Sequence, residues 1–366
     1  MNVTVSREDL VRELSVAEQA SSRKPTIPVL NNVLLSSDGA QLSMSATDFE
    51  IWMMSSCPCT GIEGSATVNA AKLLEMARAI PAGSTIRLQL DGKFVLFEGA
   101  SFRAKLQTIP VGEFPIRPVT PEKFQALSRV GLRDCLMRSR YATREDQRYA
   151  LNAVLFSLKE SVAEFVATDS HRLAFASMAV KDADPSDALL PKRTVDALVS
   201  ALDSDMETVE YAKSDNHLFF RMGARLMVSR VIEGKFPAWS RIMPRTKREG
   251  ACMVRVSRDL FLGAVRRVAM VSDQKLSTVS VTLSSNRLLL EAMSAEFGEG
   301  TEELVISDGP QQSIVLKVNS AYIVDALSVC ASEDLDLEIL SDATPVVFRD
   351  SGESTSGIGV VMPVRL

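Results

Sequence analysis

The sequence predicts an α+β fold in which one β-rich domain with two helices is repeated three times in tandem. Three observations predict this architecture. A turn motif recurs between alternating strands, a helix start recurs at a fixed place in the repeat, and the chain has 366 residues, of which 46% are hydrophobic. That length suits two or three domains at roughly 100–200 residues each, and the repeat favours three.

The turn motif lies near the middle of the chain, in Val166–Phe175. Apolar residues alternate on both sides of Thr168-Asp169-Ser170, which is typical of two strands joined by a tight turn. An earlier copy, SATDFEI at 45–51, matches VATDSHR at 166–172, and a weaker copy lies in 288–297. The copies are about 120 residues apart, a spacing that indicates a triplicated domain.

Each repeat begins with a short strand and a helix. Ser6 and Ser257 precede nearly identical segments, with Ser at the N-cap and acidic residues in the first turn. The middle repeat places Pro121 before a helix that we predict from Lys123 to about Tyr141. Apolar spacings of three and four predict a second helix in each repeat. These second helices are Asn69–Ile80, Pro191–Leu202 and Asn319–Ala331.

Further strands close each repeat, at 86–106, 217–231 and 335–362. Polar segments containing proline follow the first two, at 117–121 and 244–250. We therefore predict domains at 1–120, 121–250 and 251–366.

Bulk composition excludes several classes of protein. Charged residues make up 24% of the chain, and no apolar run approaches the ~18 residues needed to span a bilayer. The N-terminus is polar and lacks the apolar core of a secretory signal, so we expect a cytoplasmic protein with no membrane partner. Five scattered cysteines do not form a disulfide framework, and we expect them to be reduced.

The net charge of −5 is unevenly distributed, with −1, +3 and −7 in the three predicted domains. An acidic total does not exclude nucleic acid, because binding depends on where the basic groups lie. It does argue against tight DNA binding over the whole surface.

One face of the predicted middle helix is basic. On a helical wheel Arg129, Arg133 and Arg140 lie opposite the apolar residues, with Arg144 nearby. This pattern has two interpretations: a solvated helix face, or a surface that faces phosphates without reading sequence.

Catalytic and cofactor motifs are mostly absent, so we expect no cofactor, no metal and no catalytic residue. Cys57-Pro-Cys59 lacks a second cysteine pair and does not predict a zinc site. Thr168–Arg172 contains nucleophile, acid and base types, which leaves a hydrolase as an alternative. Sequence neighbours seldom assemble a triad, so a structural turn or a binding role is favoured.

The C-terminal segment 360–366 is apolar to its last residue, whereas chain ends are usually polar and frayed. It must therefore pack into a core or line a groove. Met362 and Pro363 suit a groove that binds a short hydrophobic peptide, since Met is adaptable and Pro is rigid.

Together these segments resemble the bacterial DNA sliding clamp family, the β subunit of the DNA polymerase III holoenzyme. The resemblance runs along the whole chain, and its length and threefold period also fit. The matching segments are Lys24–Asn32, Arg148–Asn152, Thr168–Ala174, Gly234–Pro237 and Val361–Leu366.

The resemblance implies a homodimeric ring of six domains, closed head to tail, with helices lining the hole and sheets outside. Such a ring slides on double-stranded DNA without sequence specificity and is a processivity factor with no chemistry of its own. It implies partners that bind through short hydrophobic motifs: the replicative DNA polymerase, the clamp loader, and repair and translesion polymerases. A generic peptide-binding scaffold without a DNA role is the remaining alternative.

The resemblance also implies site residues. The implied peptide pocket comprises Leu151, Thr168, His171, Arg172, Leu173, Pro237, Arg241, Ile242, Asn319, Tyr322, Val346, Val360, Met362, Pro363, Arg365 and Leu366. The implied DNA-facing residues are Lys24, Arg144 and Arg148, to which the helical wheel adds Arg129, Arg133 and Arg140. The implied dimer interface includes Met270 and Val271. Departures from the family pattern at Ala153, Trp239-Ser240 and Thr344-Pro345 affect the fine shape of the pocket.

Overall fold

The computed structural model describes residues 1–21, 26–144, 149–202, 205–214, 216–273, 277–351 and 355–364. The chain divides into two compact units. The first unit contains residues 1–129 and 196–231, and the second contains 130–195 and 232–366.

The described residues form six α-helices. They are α1 Arg7–Glu18, α2 Ala70–Ala79, α3 Arg129–Arg140, α4 Lys192–Ala201, α5 Arg258–Ala269 and α6 Ser320–Ser328. The strands of the first unit are β1 Asn2–Ser6, β2 Asn32–Ser37, β3 Gln41–Thr47, β4 Ile51–Ile62, β5 Gly64–Asn69, β6 Thr85–Asp91, β7 Phe94–Gly99, β8 Phe102–Gln107, β9 Gln125–Ser128, β14 Thr208–Ser214, β15 His217–Met222 and β16 Arg225–Arg230. The strands of the second unit are β10 Ala153–Leu158, β11 Val162–Thr168, β12 Arg172–Ala179, β13 Ser186–Pro191, β17 Cys252–Ser257, β18 Thr278–Ser284, β19 Arg287–Ser294, β20 Gly298–Val305, β21 Ile314–Asn319, β22 Asp334–Ile339, β23 Val346–Ser351 and β24 Thr355–Val361.

The first unit is built on one antiparallel sheet that passes from the first repeat into the second. Its strand order is β8-β7-β6-β1-β4-β16-β15-β14-β9, and β3, β2 and β5 continue from β4. The junction between repeats is the antiparallel pair β4–β16, in which Met54 lies opposite Leu226. Helices α1 and α2 cover a core that includes Leu10, Leu73 and Phe97.

The second unit has the same kind of junction between the second and third repeats. Its eight-stranded sheet has the order β13-β10-β11-β12-β24-β23-β22-β17. Strand β12 pairs with β24, and Arg172 lies opposite Val361. A four-stranded sheet, β20-β19-β18-β21, packs with α5 and α6 around a core that includes Phe261 and Leu327.

The structure confirms the α+β class and both helices of each repeat, but the predicted start of the middle helix was wrong. Helix α3 begins at Arg129, not near Lys123, because Gln125–Ser128 forms strand β9. Leu127 of this strand lies opposite Val209 of β14. Pairing with a distant strand therefore overrides the local helical spacing.

The two predicted serine caps behave differently. The Ser6 hydroxyl accepts a hydrogen bond from the Asp9 N–H at 3.4 Å, as expected for an N-cap. Ser257 occupies the N-cap position of α5 but makes no side-chain cap hydrogen bond.

All five cysteines are free thiols. Across the described ranges of the chain, no three metal-ligating side chains come together, and no helix has the length and apolarity that crossing a bilayer requires.

A fully buried glutamate, Glu338, holds the segment that leads into the third repeat. Its side chain is 0% exposed and accepts hydrogen bonds from Arg248 Nε and Arg349 Nη2, both at 2.6 Å. Arg349 also donates to the carbonyl oxygens of Pro244 and Thr246 at 2.9 and 3.0 Å. The carboxylate therefore connects the chain between repeats to strand β22.

Glu164 of β11 binds the same segment to the second repeat. It is 2% exposed and accepts from Arg245 Nη1 at 2.8 Å and from Lys159 Nζ at 2.7 Å. Burial raises the pKa of Glu164 and of Glu338, but the hydrogen bonds from their cationic partners outweigh it and lower both pKa values. Their stabilisation is therefore present above the unfolded-state pKa of about 4.3 and is lost as pH falls through the lower folded-state pKa.

We predict that Glu338→Gln lowers the free energy of unfolding at pH 7 by about 2–4 kcal/mol, because the half-buried guanidinium groups of Arg248 and Arg349 lose their buried counter-charge. Urea denaturation at pH 7 measures the loss, and at pH 3 the difference from wild type should shrink. The control Glu210→Gln removes an exposed partner of Arg221 and should change stability by less than about 1 kcal/mol. Equal losses in the two variants would contradict the proposed role of Glu338.

Candidate functional site

The turn between β11 and β12 is ordered by its own side chains. The Asp169 carboxylate accepts from the backbone N–H groups of His171 and Arg172, both at 2.9 Å. The Thr168 hydroxyl donates to the Arg172 carbonyl at 2.7 Å. Ser170 takes a left-handed conformation with φ 78°, as Phe49 does in the first repeat with φ 74°. A short polar residue fits that conformation more easily than an aromatic one.

Arg172 connects this turn to helix α6. Its guanidinium bonds to Asp169 at 3.0 Å and to Asp325 at 2.5 Å. It also lies 4.5 Å from the ring centroid of Tyr322 and 5.5 Å from that of Tyr141, within cation–π range. The planar guanidinium therefore fixes the geometry between the turn and the third repeat.

His171 stacks on Tyr322, with 6.4 Å between the ring centroids and 21° between the planes. Burial raises the pKa of the Tyr322 hydroxyl. Because the Thr168 hydroxyl bonds to the Arg172 carbonyl, the described contacts build a turn and no nucleophile–base pair. The geometry gives no support to the hydrolase alternative.

The C-terminal strand brings the tail beside this turn. The Met362 N–H donates to the His171 carbonyl at 2.9 Å, directly after the last pair of the β12–β24 ladder. Leu173 lies opposite Val360, and Val346 of β23 lies opposite Val361. The turn and the tail are therefore held in one register by backbone hydrogen bonds.

An apolar cluster lies beneath the turn and the tail. Its buried members come from three separate segments, which are the β11–β12 hairpin, the loop 236–243 and strands β23 and β24, and Leu155 of β10 packs against them. Its buried members are Val166, Leu173, Phe175, Met243, Val347 and Val360.

The loop after the second repeat forms another side of this region. Trp239 stacks on Phe175 with 5.7 Å between centroids, and Arg245 lies over both rings at 5.4 and 5.5 Å. Close to the stacked tryptophan in sequence, Ile242 is 54% exposed. The loop therefore presents an accessible apolar side chain three residues after a tryptophan that is fixed by stacking.

Hydrogen bonds, ring contacts and strand pairing join many of the predicted pocket residues. Thr168, His171, Arg172, Leu173, Tyr322, Val346, Val360 and Met362 are linked through the turn, the aromatic stack and the strand ladder. Asn319 caps α6 by accepting from the Ala321 N–H at 2.9 Å. Leu151 is buried, Pro363 is half-buried, and Pro237 and Arg241 are exposed. Arg365 and Leu366 lie outside the described residues.

Sequence reasoning missed Phe175, Met243 and Arg245 as parts of this region. Phe175 stands in the alternating pattern of β12, so an inward position could have been inferred. The contacts that join it to Trp239 and Arg245 link distant segments, and local spacing carries no signal for them.

The predicted basic residues are placed unequally. Arg133 and Arg144 are exposed, whereas Arg129 and Arg140 are half-buried. Arg129 Nε donates to the Met206 carbonyl at 3.0 Å. Lys24 and Arg148 lie outside the described residues.

The predicted interface residues lie at the end of α5. Met270 is 76% exposed, and Val271 is half-buried against the core of the third repeat. A Cβ atom on Gly300 of β20 would lie 2.7 Å from Val271 Cγ2. The helix end therefore packs closely on strand β20.

Comparison with known proteins places these features in a family. Three family models match in succession: DNA polymerase III beta subunit, N-terminal domain at 1–118, central domain at 132–238 and C-terminal domain at 240–365. The beta sliding clamps of Pseudomonas putida and Escherichia coli K12 are each 29% identical to this chain, with full coverage of both chains.

Solved structures agree. The DNA polymerase sliding clamp of Pseudomonas aeruginosa is 26% identical, with a TM-score of 0.90 and full coverage of both chains. A sliding clamp of the same organism bound to griselimycin has a TM-score of 0.92 at 26% identity, again with full coverage of both. The chain therefore belongs to the DNA polymerase III beta subunit family.

Proposed function

We propose that this chain is a DNA polymerase processivity factor and not an enzyme. Two copies close head to tail into a ring that encircles duplex DNA, slides along it and tethers the replicative polymerase. The observation that carries this proposal is a strand junction that occurs twice within the chain, while the first and third repeats each keep one strand of the same kind without such a partner in the described chain.

The repeat identifies those two strands. Strands β4 and β12 pair with β16 and β24, the last strands of the repeats that follow them. The corresponding strand of the third repeat is β20, whose only ladder in the described chain is with β19. The last strand of the first repeat is β8, whose only ladder there is with β7. Pairing β20 of one copy with β8 of another, twice, closes a two-fold ring and removes both edges.

The chemistry of the two edges is complementary. Strand β20 carries Glu299, Glu302 and Glu303, and strand β8 carries Arg103 and Lys105. Three of these groups also have a partner of opposite charge in their own chain, in the pairs Arg267–Glu302, Arg287–Glu303 and Arg103–Glu98. Opposite charges steer the association of two surfaces and fix their register.

Exposed apolar groups accompany these charges. Phe102 on β8 is 45% exposed, and Met270 at the end of α5 is 76% exposed. Exposed apolar side chains on both edges are what a buried seam requires, and they support the placement of Met270 and Val271 at the dimer interface.

We predict that Met270→Asp converts the dimer into a monomer, because the seam would bury a charge without a counter-ion. Sedimentation equilibrium measures the mass. The control Leu260→Asp changes an exposed residue in the first turn of α5, at the place where the first repeat has Asp9, and should remain dimeric. A dimeric Met270→Asp protein would contradict this position for the seam.

Two of the cations on the helices of the first repeat have acidic neighbours. Arg12 of α1 lies 2.8 Å from Asp9, and Lys72 of α2 lies 2.6 Å from Glu75. Such pairs weaken the pull of the surface on phosphates, and the net charge of −5 does the same. Weak, sequence-blind contact suits a ring that must slide, so retention on DNA depends on closure. We include Lys24, Arg129, Arg133, Arg140, Arg144 and Arg148 in the proposed DNA-facing set.

We predict that the protein, loaded on nicked circular DNA by a cognate clamp loader with ATP, stays on the circle through gel filtration and is released when the circle is linearised. A protein held on DNA by affinity alone would stay bound equally well to the circle and to the linear DNA. Equal release from circular and linear DNA would therefore rule out the ring.

The region around the His171 turn is the proposed site for partner peptides. It combines an apolar floor, an exposed Ile242, a 36% exposed Met362 and a rigid polar turn. A few fixed polar groups on an apolar surface are typical of peptide and small-ligand sites. We assign to it all sixteen residues implied by the resemblance, and propose that polymerases, the clamp loader and repair proteins compete for it.

We predict that deleting residues 362–366 weakens binding of griselimycin at least about 100-fold, or about 2.7 kcal/mol, while the protein stays dimeric. Isothermal titration measures the affinity, and size exclusion measures the mass. The control Met293→Ala removes an exposed methionine outside the proposed pocket and should bind as wild type does. Unchanged affinity after the deletion would contradict the role of the tail, and a monomer would contradict a separate seam.

We further propose a cytoplasmic location and domain boundaries near residues 120 and 250. The polar, proline-containing segments at both places support these boundaries.

A further inference from the structure

Both junctions between repeats contain a buried arginine, but the arginine comes from a different element in each. At the first junction it is Arg225, on strand β16. Its guanidinium donates to both carboxylate oxygens of Glu13 on α1, at 2.8 and 3.0 Å, and to the Ala201 carbonyl at 2.8 Å. The side chains of Arg225 and Glu13 are both nearly fully buried. Strand register places Arg225 opposite Ser55 of β4, next to the pair Leu226–Met54.

At the second junction the corresponding strand position is a glycine. Ala176 stands in β12 where Ser55 stands in β4, counted from the shared turn motif, and the residue opposite Ala176 is Gly357 of β24. A Cβ atom on Gly357 would lie 2.7 Å from Nη1 of Arg138, which reaches the same place from helix α3. The space that the strand arginine fills at one junction is filled by a helix arginine at the other.

The counter-charges change sides in the same way. Arg138 has a side chain 3% exposed and pairs with Asp350 of β23 and, at 2.7 Å, with Asp134. The Asp350 carboxylate also accepts from the N–H groups of Ala331 and Ser332, at 2.9 and 3.1 Å. The helix supplies the acid and the strand the base at the first junction, whereas the helix supplies the base and the strand the acid at the second.

The same exchange of acid and base is seen when α1 and α3 are aligned from their first residues. Glu13 and Val16 of α1 correspond to Cys135 and Arg138 of α3. In the strands, Met222 lies opposite Arg225, and Asp350 lies opposite Gly357. Each junction therefore has its own four-residue set. The sets are Glu13, Val16, Met222 and Arg225 at the first junction and Cys135, Arg138, Asp350 and Gly357 at the second.

We propose that these sets are a pairing code, by which each edge strand accepts its own partner strand and rejects the similar strand of another repeat. Three near-copies of one domain in one chain offer several wrong pairings of equal backbone geometry. Specificity among such alternatives requires an unfavourable element in each wrong pair.

Both mismatches between the two junctions contain such an element. Strand β24 placed on β4 would set Gly357 beside Glu13. The buried Glu13 carboxylate would lose both hydrogen bonds from Arg225 and keep only the exposed Arg12, at 2.9 Å, as a cationic partner. Strand β16 placed on β12 would bring Arg225 into the space of Arg138, with two guanidinium groups in one buried site. Each arrangement takes from a buried charge the partner that lies across the junction and leaves it only the partner on its own helix, Arg12 or Asp134, which is destabilising.

The proposed seam between two copies has a third set of residues, which follows the same rule. This third comparison rests on the proposed ring, whereas the first two do not. Arg267 of α5 occupies the position of Arg138, and it bonds to Glu302 of its own strand β20 at 2.9 Å. Phe102 of β8, opposite Gly99, stands where Arg225 and Gly357 stand in the other repeats. At the proposed seam, the Arg267–Glu302 pair, whose charges balance within one chain, would therefore lie beside the uncharged Phe102 of the other chain. Phe102 could not replace Gly357 on β12, because Arg138 fills that space.

The code is tested by placing the residues of the first set at the second junction and measuring the unfolding temperature. The measurement requires neither DNA nor a ring. Gly357→Arg alone places a second arginine beside Arg138 and should lower the unfolding temperature by roughly 10 °C. Ser356→Arg adds the same charge at the exposed neighbouring position and should lower it by no more than roughly 3 °C. Adding Cys135→Glu, Arg138→Val and Asp350→Met to Gly357→Arg recreates the first set and should restore at least half of the loss.

The selection itself is tested by refolding. The fourfold variant carries the same set at both junctions, so refolding from urea at high protein concentration should yield more mispaired multimers than wild type, as measured by light scattering. The proposal is overturned if Gly357→Arg is no worse than Ser356→Arg, if the fourfold variant is as unstable as Gly357→Arg, or if it refolds as cleanly as wild type. Repeating the series in the Met270→Asp background gives the same ranking under the code, whether or not the ring exists.

Discussion

The antiparallel ladder between one repeat and the next is the interaction on which the rest of each unit depends. Strand β4 of the first repeat continues into β16 of the second, and β12 continues into β24. Backbone hydrogen bonds carry no sequence preference, and a shift of one residue would turn every side chain to the opposite face. The contact between the His171 carbonyl and the Met362 N–H exists only in the observed register. Side chains that fix this register therefore also fix the functional surface built beside it.

Much of the architecture could be predicted because the repeat is written in local patterns. The paired turns, the Asn69 and Asn319 helix starts and the alternating strands all depend on residues close in sequence. Strand β9 could not be recognised, since its four residues are stabilised by β14, about 80 residues away. Arg138 was not singled out for a similar reason. A helical wheel shows which face a residue occupies, but not that Asp350, more than 200 residues later, will make that face an interior.

The candidate site shows the same division between local and distant information. The Asp169 and Thr168 hydrogen bonds follow from the turn sequence alone. The floor beneath the turn combines three segments that only the folded chain brings together, with Trp239 on Phe175 and Arg245 over both. Glu164, which anchors Arg245, is buried in a strand whose residues are buried on both faces from Ala163 to Thr168. Charged residues in such a strand are informative, because they persist there only with partners.

The two turns that share one sequence motif differ at their left-handed residue. In the second repeat that residue is Ser170, which is small and leaves the neighbouring His171 accessible. In the first repeat it is Phe49, whose ring meets Trp52 edge-on with 6.4 Å between centroids. The first turn therefore presents a 41% exposed aromatic ring at the position where the second presents a serine, so the two copies of the motif have different surfaces. We proposed a partner-peptide site only beside the second of these turns. A two-chain ring then has two such sites, and at most two partners bind to it at one time.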